Sequence, residues 1–131
     1  MPQENIEIVR SIYAAWERGD YRSAPWADPE IEFILADGPS PGTFDGIAAM
    51  ARAWRDFESG IEDLTTYADE YRELDDERVL ALTRFGARGE GSGVDVEARG
   101  ALVFHIREGK VKRLVRYWSV ARAFADLGLE E

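Results

Sequence analysis

The sequence predicts an α+β domain, with helices in its first half and an antiparallel meander of strands in its second. Three observations predict it. Helical apolar periodicity dominates the first half of the chain. Strand-like stretches joined by tight turns fill the second half. The late strands carry apolar residues on both faces. Helices followed by strands argue for α+β and against alternating βαβ units.

Residues 4–18 read as an amphipathic helix. Ile6, Val9, Tyr13 and Trp16 recur at spacings of three and four, with Ile12 beside them. Gly19 and Asp20 end it. Tyr21 to Trp26 reads as a short second helix before the Asp28-Pro29 punctuation. Ile31 to Leu35 is a short strand, and Asp37-Gly38-Pro39-Ser40-Pro41-Gly42 is a loop. Asp45-Gly46 leads into a helix across 47–58, with Ile47, Met50, Trp54 and Phe57 as its stripe.

Leu64 to Leu74 and Val79 to Arg88 read as strands on either side of the turn Asp75-Asp76-Glu77. Gly89-Glu90-Gly91-Ser92-Gly93 is a hairpin loop, and Val94 to Ile106 is a long strand with a bulge expected near Gly100. Arg107-Glu108-Gly109 turns the chain into the strand Lys110 to Trp118. Ser119 is expected to cap a helix over Val120 to Leu127, closed by Gly128. No repeat or linker is visible, so residues 1–131 read as a single domain.

A chain of 131 residues is long enough to bury a core. Four Trp, five Tyr and six Phe supply large rings that fill a core or line a cavity. The absence of Cys excludes disulfides, thiol nucleophiles and thiolate metal sites. With one His and no calcium-loop pattern, neither a metal nor a cofactor is expected. A net charge of −10 repels phosphate backbones, which argues against nucleic acid as a partner. The opening MPQENIEIVR lacks an apolar signal core, and no run reaches membrane-spanning length. The expected location is cytoplasmic, with no membrane partner.

On Val94–Ile106 one face reads Ala98, Gly100, Leu102, Phe104, Ile106, and the other Arg99, Ala101, Val103, His105. On the last strand Leu114, Arg116 and Trp118 share a face. Sheets apolar on both sides usually have both covered. With helical cover expected only inside, the outer face calls for a second copy, and a homodimer through the convex sheet face is expected.

Certain stretches resemble a known superfamily. They are Ile12-Tyr13-Ala14-Ala15-Trp16 with Gly19-Asp20, and Trp26-Ala27-Asp28-Pro29-Glu30-Ile31-Glu32-Phe33. Gly46 ahead of the next helix, and Phe104-His105-Ile106-Arg107-Glu108-Gly109-Lys110-Val111, complete the pattern. Together they resemble the nuclear transport factor 2-like superfamily. The SnoaL-like polyketide cyclase branch is the nearest look, including the terminal Ala121-Arg122-Ala123-Phe124-Ala125-Asp126-Leu127-Gly128-Leu129. The resemblance implies a cone-shaped curved sheet around a pocket plugged by N-terminal helices, commonly dimeric. It does not fix a reaction, because the superfamily holds isomerases, cyclases, hydrolases, dehydratases and non-catalytic binders.

The family's catalytic positions are poorly matched. Ketosteroid isomerase chemistry needs a carboxylate base and an oxyanion hole built from a Tyr and a protonated Asp. The aligned positions are Ile34, Ile12 and Leu102, all apolar. Tyr13 lies one place from the needed phenol, a rotation of about 100° on a helix, so this chemistry is rejected. For the epoxide-hydrolase set Arg84 matches the guanidinium, but Arg116 stands where a carboxylate is needed. The late-strand acid of the cyclases has no counterpart in Leu114, Arg116 or Trp118.

The remaining candidates each carry two readings. Glu32, beside Ile31 and Phe33, is the proposed general base; Asp37 in the following loop is the weaker alternative. Arg116 grips an anionic ligand, or forms a structural ion pair with Glu32 or Asp37. Arg84 has the same two readings. His105 alternates with Phe104 and Ile106, which puts it outside the cone rather than in a catalytic position. Tyr13, Trp16, Trp54, Leu102, Phe104 and Trp118 are the candidate ligand contacts, although helical spacing makes the first three core residues by default. Loop 37–43 is an ordinary connection or a lid. The expected function is binding of a small, largely apolar molecule, with acid–base catalysis of an isomerase, cyclase or hydrolase type by Glu32 and Arg116. The alternative is a non-catalytic binder or dimeric interaction domain.

Overall fold

The computed structural model describes residues 2–20, 25–38, 41–58, 61–89 and 95–129. Nine elements follow in the order α1 (Pro2–Glu17), β1 (Ala27–Leu35), β2 (Gly42–Asp45), α2 (Ile47–Glu58), β3 (Ile61–Glu73), β4 (Arg78–Gly89), β5 (Asp95–Arg107), β6 (Lys110–Tyr117) and α3 (Val120–Leu127). The strands form one six-stranded sheet in the order β2-β1-β6-β5-β4-β3. It is curved and unclosed, and the fold class is α+β.

β3 to β6 are sequential antiparallel neighbours, as expected for strands joined by tight turns. The sheet becomes mixed where β1 inserts beside β6 in parallel. Parallel neighbours need a long connection, and here α2 and β3 to β5 together supply it.

Burial separates the two faces. Val79, Ala81, Leu102, Phe104, Ile106 and Leu114 point inward against Val9, Ile12, Tyr13 and Trp16 of α1 and Met50, Ala53 and Trp54 of α2. Leu80, Ala101, Val103 and Tyr117 point outward, where Ala123 and Phe124 of α3 pack on them. The outer face therefore has helical cover of its own. The premise that helices cover only the inner face does not hold.

Capping fixes α3 at the bounds read from sequence. Ser119 has an extended backbone, and its hydroxyl accepts the Arg122 N–H at 3.1 Å. Gly128 closes the helix with a left-handed φ of 70°.

Four details differ from expectation. β1 begins at Ala27 rather than Ile31, because a register shift against β6 between Ala27 and Glu32 absorbs Pro29, which has no N–H to give a ladder. The four-residue β2 was hidden in an apparent loop. β5 pairs with β4 without interruption through Gly100, and the irregularity against β6 falls at His105/Ile106, where the Ile106 N–H bonds the Glu77 carbonyl. Pro25 and Trp26 form a turn, while the rest of the expected second helix, residues 21–24, lies outside the described residues. No described helix is long and apolar enough to cross a membrane.

Candidate functional site

Period-two alternation sends Leu114 and Arg116 of β6 inward, opposite Phe104 and Leu102 of β5. Arg116 is thereby 2% exposed, a cation inside the sheet. Its guanidinium carbon lies 4.4 Å from the ring centre of Phe85, 4.6 Å from Trp118 and 5.5 Å from Trp54. Such cation–π contacts contribute roughly 0.5–2 kcal/mol each, more as water is excluded. The Nε and Nη2 atoms are buried without a hydrogen bond, while other contacts engage the side chain. Burial lowers the Arg116 pKa to about 10, with Tyr13 and Asp37 acting in the opposite sense. At neutral pH the group is still a cation.

Tyr13 reaches the same interior from α1. Its hydroxyl lies 2.6 Å from Thr83 Oγ1, and Thr83 donates in turn to the Ala81 carbonyl at 3.3 Å. That chain is consistent when Tyr13 is the donor. Complete burial pushes its phenol well above the usual tyrosine range, so it stays neutral. Trp16, Tyr71 and Phe104 meet the ring edge-on at 4.9, 5.8 and 6.0 Å. Ile12 and Tyr13 are both buried, so the helical rotation invoked against Tyr13 does not keep its phenol out of the interior.

Asp37 follows β1 and clasps the end of β6. Its two oxygens accept the backbone N–H groups of Trp118 at 2.6 Å and Ser119 at 3.1 Å. Its charge acts on Arg116. Among the described residues, Asp37 is a carboxylate of this neighbourhood, and it is anchored.

Glu32 is elsewhere. Ile31 and Phe33 face the inner core, so alternation turns Glu32 to the opposite face, where it bonds Arg113 at 2.7 Å. Glu32 and Arg116 thus lie on opposite faces of the sheet, and the expected base–cation couple is not formed. Glu32 instead lines an outer groove of about 490 Å³ with His105, Arg107, Glu108, Lys112 and Arg113. His105 there lies 3.7 Å from Glu77.

Arg84 is also outside. It pairs with Asp69 at 3.1 Å and Glu97 at 3.7 Å and lies over the Tyr67 ring, and Asp69 raises its pKa. It forms ion pairs on the outer side of the sheet, away from Arg116. Trp16, Trp54, Leu102 and Phe104 are in the inner core.

The structure adds Phe85 and Thr83 to this neighbourhood, which the sequence reading passed over. Both lie on the inward-facing register of β4 with Val79 and Ala81, so strict alternation could have found them. Among the described residues, no group of three or more His, Asp or Glu is placed to hold a metal ion.

The SnoaL-like domain model matches residues 9–114, which span α1 to Leu114 of β6. The chain belongs to the SnoaL-like family. Its structure is similar to that of a nuclear transport factor 2-like protein of unknown function from Burkholderia pseudomallei K96243, with a TM-score of 0.76 and 21% identity over 93% of this chain and 95% of that one. It is similar to a protein provisionally named a polyketide cyclase from Xanthomonas campestris pv. campestris, with a TM-score of 0.72 and 20% identity over 95% and 97%. It is also similar to TerC co-crystallised with polyporic acid, with a TM-score of 0.73 and 19% identity over 95% and 97%. These likenesses concern the SnoaL-like fold. Comparison with curated protein sequences gives no match.

Proposed function

We propose that this SnoaL-like chain binds a small, largely apolar molecule bearing one anionic or enolic oxygen, held against Arg116 on the inner side of the sheet. The observation that carries the reading is a cation 2% exposed among the rings of Phe85, Trp118 and Trp54. A desolvated guanidinium attracts an anion far more strongly than one in water. Aromatic walls favour a flat, conjugated body on that anion. A fold neighbour, TerC, was crystallised with polyporic acid, a ligand whose name marks it as an acid.

Catalysis in such a site is acid–base chemistry. Arg116 stabilises an enolate or phenolate as it forms.

The test is a titration with 2-naphthoate and its neutral isostere 2-naphthamide, followed by tryptophan fluorescence and calorimetry. The acid should bind saturably and about tenfold or more tighter than the amide, a margin of the size a desolvated charge contact gives. In Arg116→Met that preference should vanish. Equal affinity for acid and amide in the wild type, or a preference that survives in Arg116→Met, overturns the reading.

A further inference from the structure

We infer that Asp37 is a positioning residue that latches Trp118 shut over Arg116, and that this latch governs entry to the site. The inference rests on the reading of Arg116 as the ligand-binding group, and deepens it by naming what regulates access.

Of the three rings described around the Arg116 guanidinium, Trp54 and Phe85 are buried, while Trp118 is only half-buried. Trp118 is therefore the ring on the solvent side of the cation. A ligand anion that approaches Arg116 along this side must move it or pass it.

Three residues of one short segment hold Trp118 in place. The Ala36 N–H bonds the Arg116 carbonyl at 3.0 Å, which ties the end of β1 to β6 just before Trp118. The Asp37 carboxylate accepts the N–H groups of Trp118 and Ser119, one on each oxygen. Charge-assisted bonds of this kind are about twice as strong as neutral ones. Gly38, with a φ of +94°, then lays its backbone against the indole, so that a Cβ there would fall 2.2 Å from Trp118 Cδ1. No other residue type offers both that backbone conformation and that close approach. The segment 36–38 thus fixes the backbone of Trp118 and packs against its indole.

The latch also reaches the outer face. Ser119, whose N–H Asp37 holds, is the cap of α3. Ala123 and Phe124 of α3 pack on Leu80, Ala101 and Val103 outside the sheet. Tyr117, one residue before Trp118, packs there too, and its hydroxyl donates to Asp126 of α3 at 3.1 Å. Trp118 therefore follows directly on an inward Arg116 and an outward, helix-bound Tyr117. Release of Asp37 frees the start of α3 and the wall of the site together.

The test uses the full chain labelled with 5-fluorotryptophan, in the wild type, Asp37→Asn and Gly38→Ala, with the Trp118 fluorine resonance assigned by Trp118→Phe. Asparagine keeps one acceptor and the same shape, so Asp37→Asn remains informative if Gly38→Ala fails to fold. The expected result is a Trp118 resonance that gains a solvent isotope shift in both variants. In stopped-flow measurements with 2-naphthoate, association and dissociation rates should both rise about tenfold in Asp37→Asn while Kd moves less than about threefold, the signature of a barrier rather than a contact. A purely structural Asp37 would change Kd or stability and leave that split absent. A Trp118 resonance that stays shielded in Asp37→Asn overturns the latch, whatever 2-naphthoate does. If Trp118 opens in Asp37→Asn but the wild type shows no preference for 2-naphthoate over its amide, the latch stands and the ligand reading falls.

Discussion

Tyr13 of α1 and Thr83 of β4, seventy positions apart, share a fully buried hydrogen bond of 2.6 Å. It joins the N-terminal helix to β4 on the side of the sheet that holds Arg116. Tyr13→Phe removes the donor but leaves the ring, and Thr83 keeps its bond to Ala81. The loss should be about 1 kcal/mol, read from urea unfolding at pH 7.

The same pair gives an alkaline signature. The Tyr13 phenol titrates above its ordinary 10.0 in the folded state. Its contribution is therefore complete below pH 10 and fades as the pH climbs toward the folded value. Arg116 has the opposite sign. Folding lowers its pKa from 12.5 to about 10, so the unfolded chain holds that proton longer and stability gains between those values. Tyr13→Phe should then lose stability less steeply than the wild type between pH 10 and 11, and Arg116→Met more steeply. Urea midpoints across that range check both slopes.

At neutral pH Arg116→Met should leave stability unchanged or raise it by up to about 2 kcal/mol, because a buried cation is costly to desolvate and methionine fills similar space. A loss larger than about 2 kcal/mol in urea unfolding would mean that Arg116 is there to hold the fold.

Gly100 is a test of close packing. A Cβ at this position would lie 2.6 Å from the Tyr117 carbonyl oxygen, which is backbone and cannot rotate away. Gly100→Ala should cost about 1–3 kcal/mol by forcing β5 and β6 apart, measured by thermal or urea unfolding.

Glu108 offers a gain. Its φ is 54°, and Gly109 beside it has a φ of 78°, so both central residues of the β5–β6 turn are left-handed. That is the turn for which Asn-Gly is the favoured pair. Glu108→Asn should stabilise the protein by about 0.5–1 kcal/mol, seen as a higher midpoint of thermal unfolding.

Much of the fold was legible because its signals are local. α2 and α3 lie where periodicity and caps put them, since Ser119 and Gly128 act on their own helix. The turns at 75–77 and 107–109 marked strand ends for the same reason. β2 was not legible, because Gly42-Thr43-Phe44-Asp45 has one large apolar residue and owes its strand geometry to pairing with β1. The parallel partnership of β1 and β6 joins residues about eighty positions apart, and no local pattern encodes it.

The site divides in the same way. By itself the sequence determined which residues share a strand face: Arg116 with Leu114, and Glu32 against Ile31 and Phe33. That alternation already opposed a role for Glu32 inside the sheet, because a period of two cannot put neighbours on one face. Only the tertiary structure decided what meets Arg116. Phe85 comes from β4, Trp54 from α2, Trp118 from the end of β6 and the charge of Asp37 from the end of β1. Contacts of that kind are set by strand order, sheet curvature and helix packing, which depend on the whole chain at once, and so they could not be read from any one segment of it.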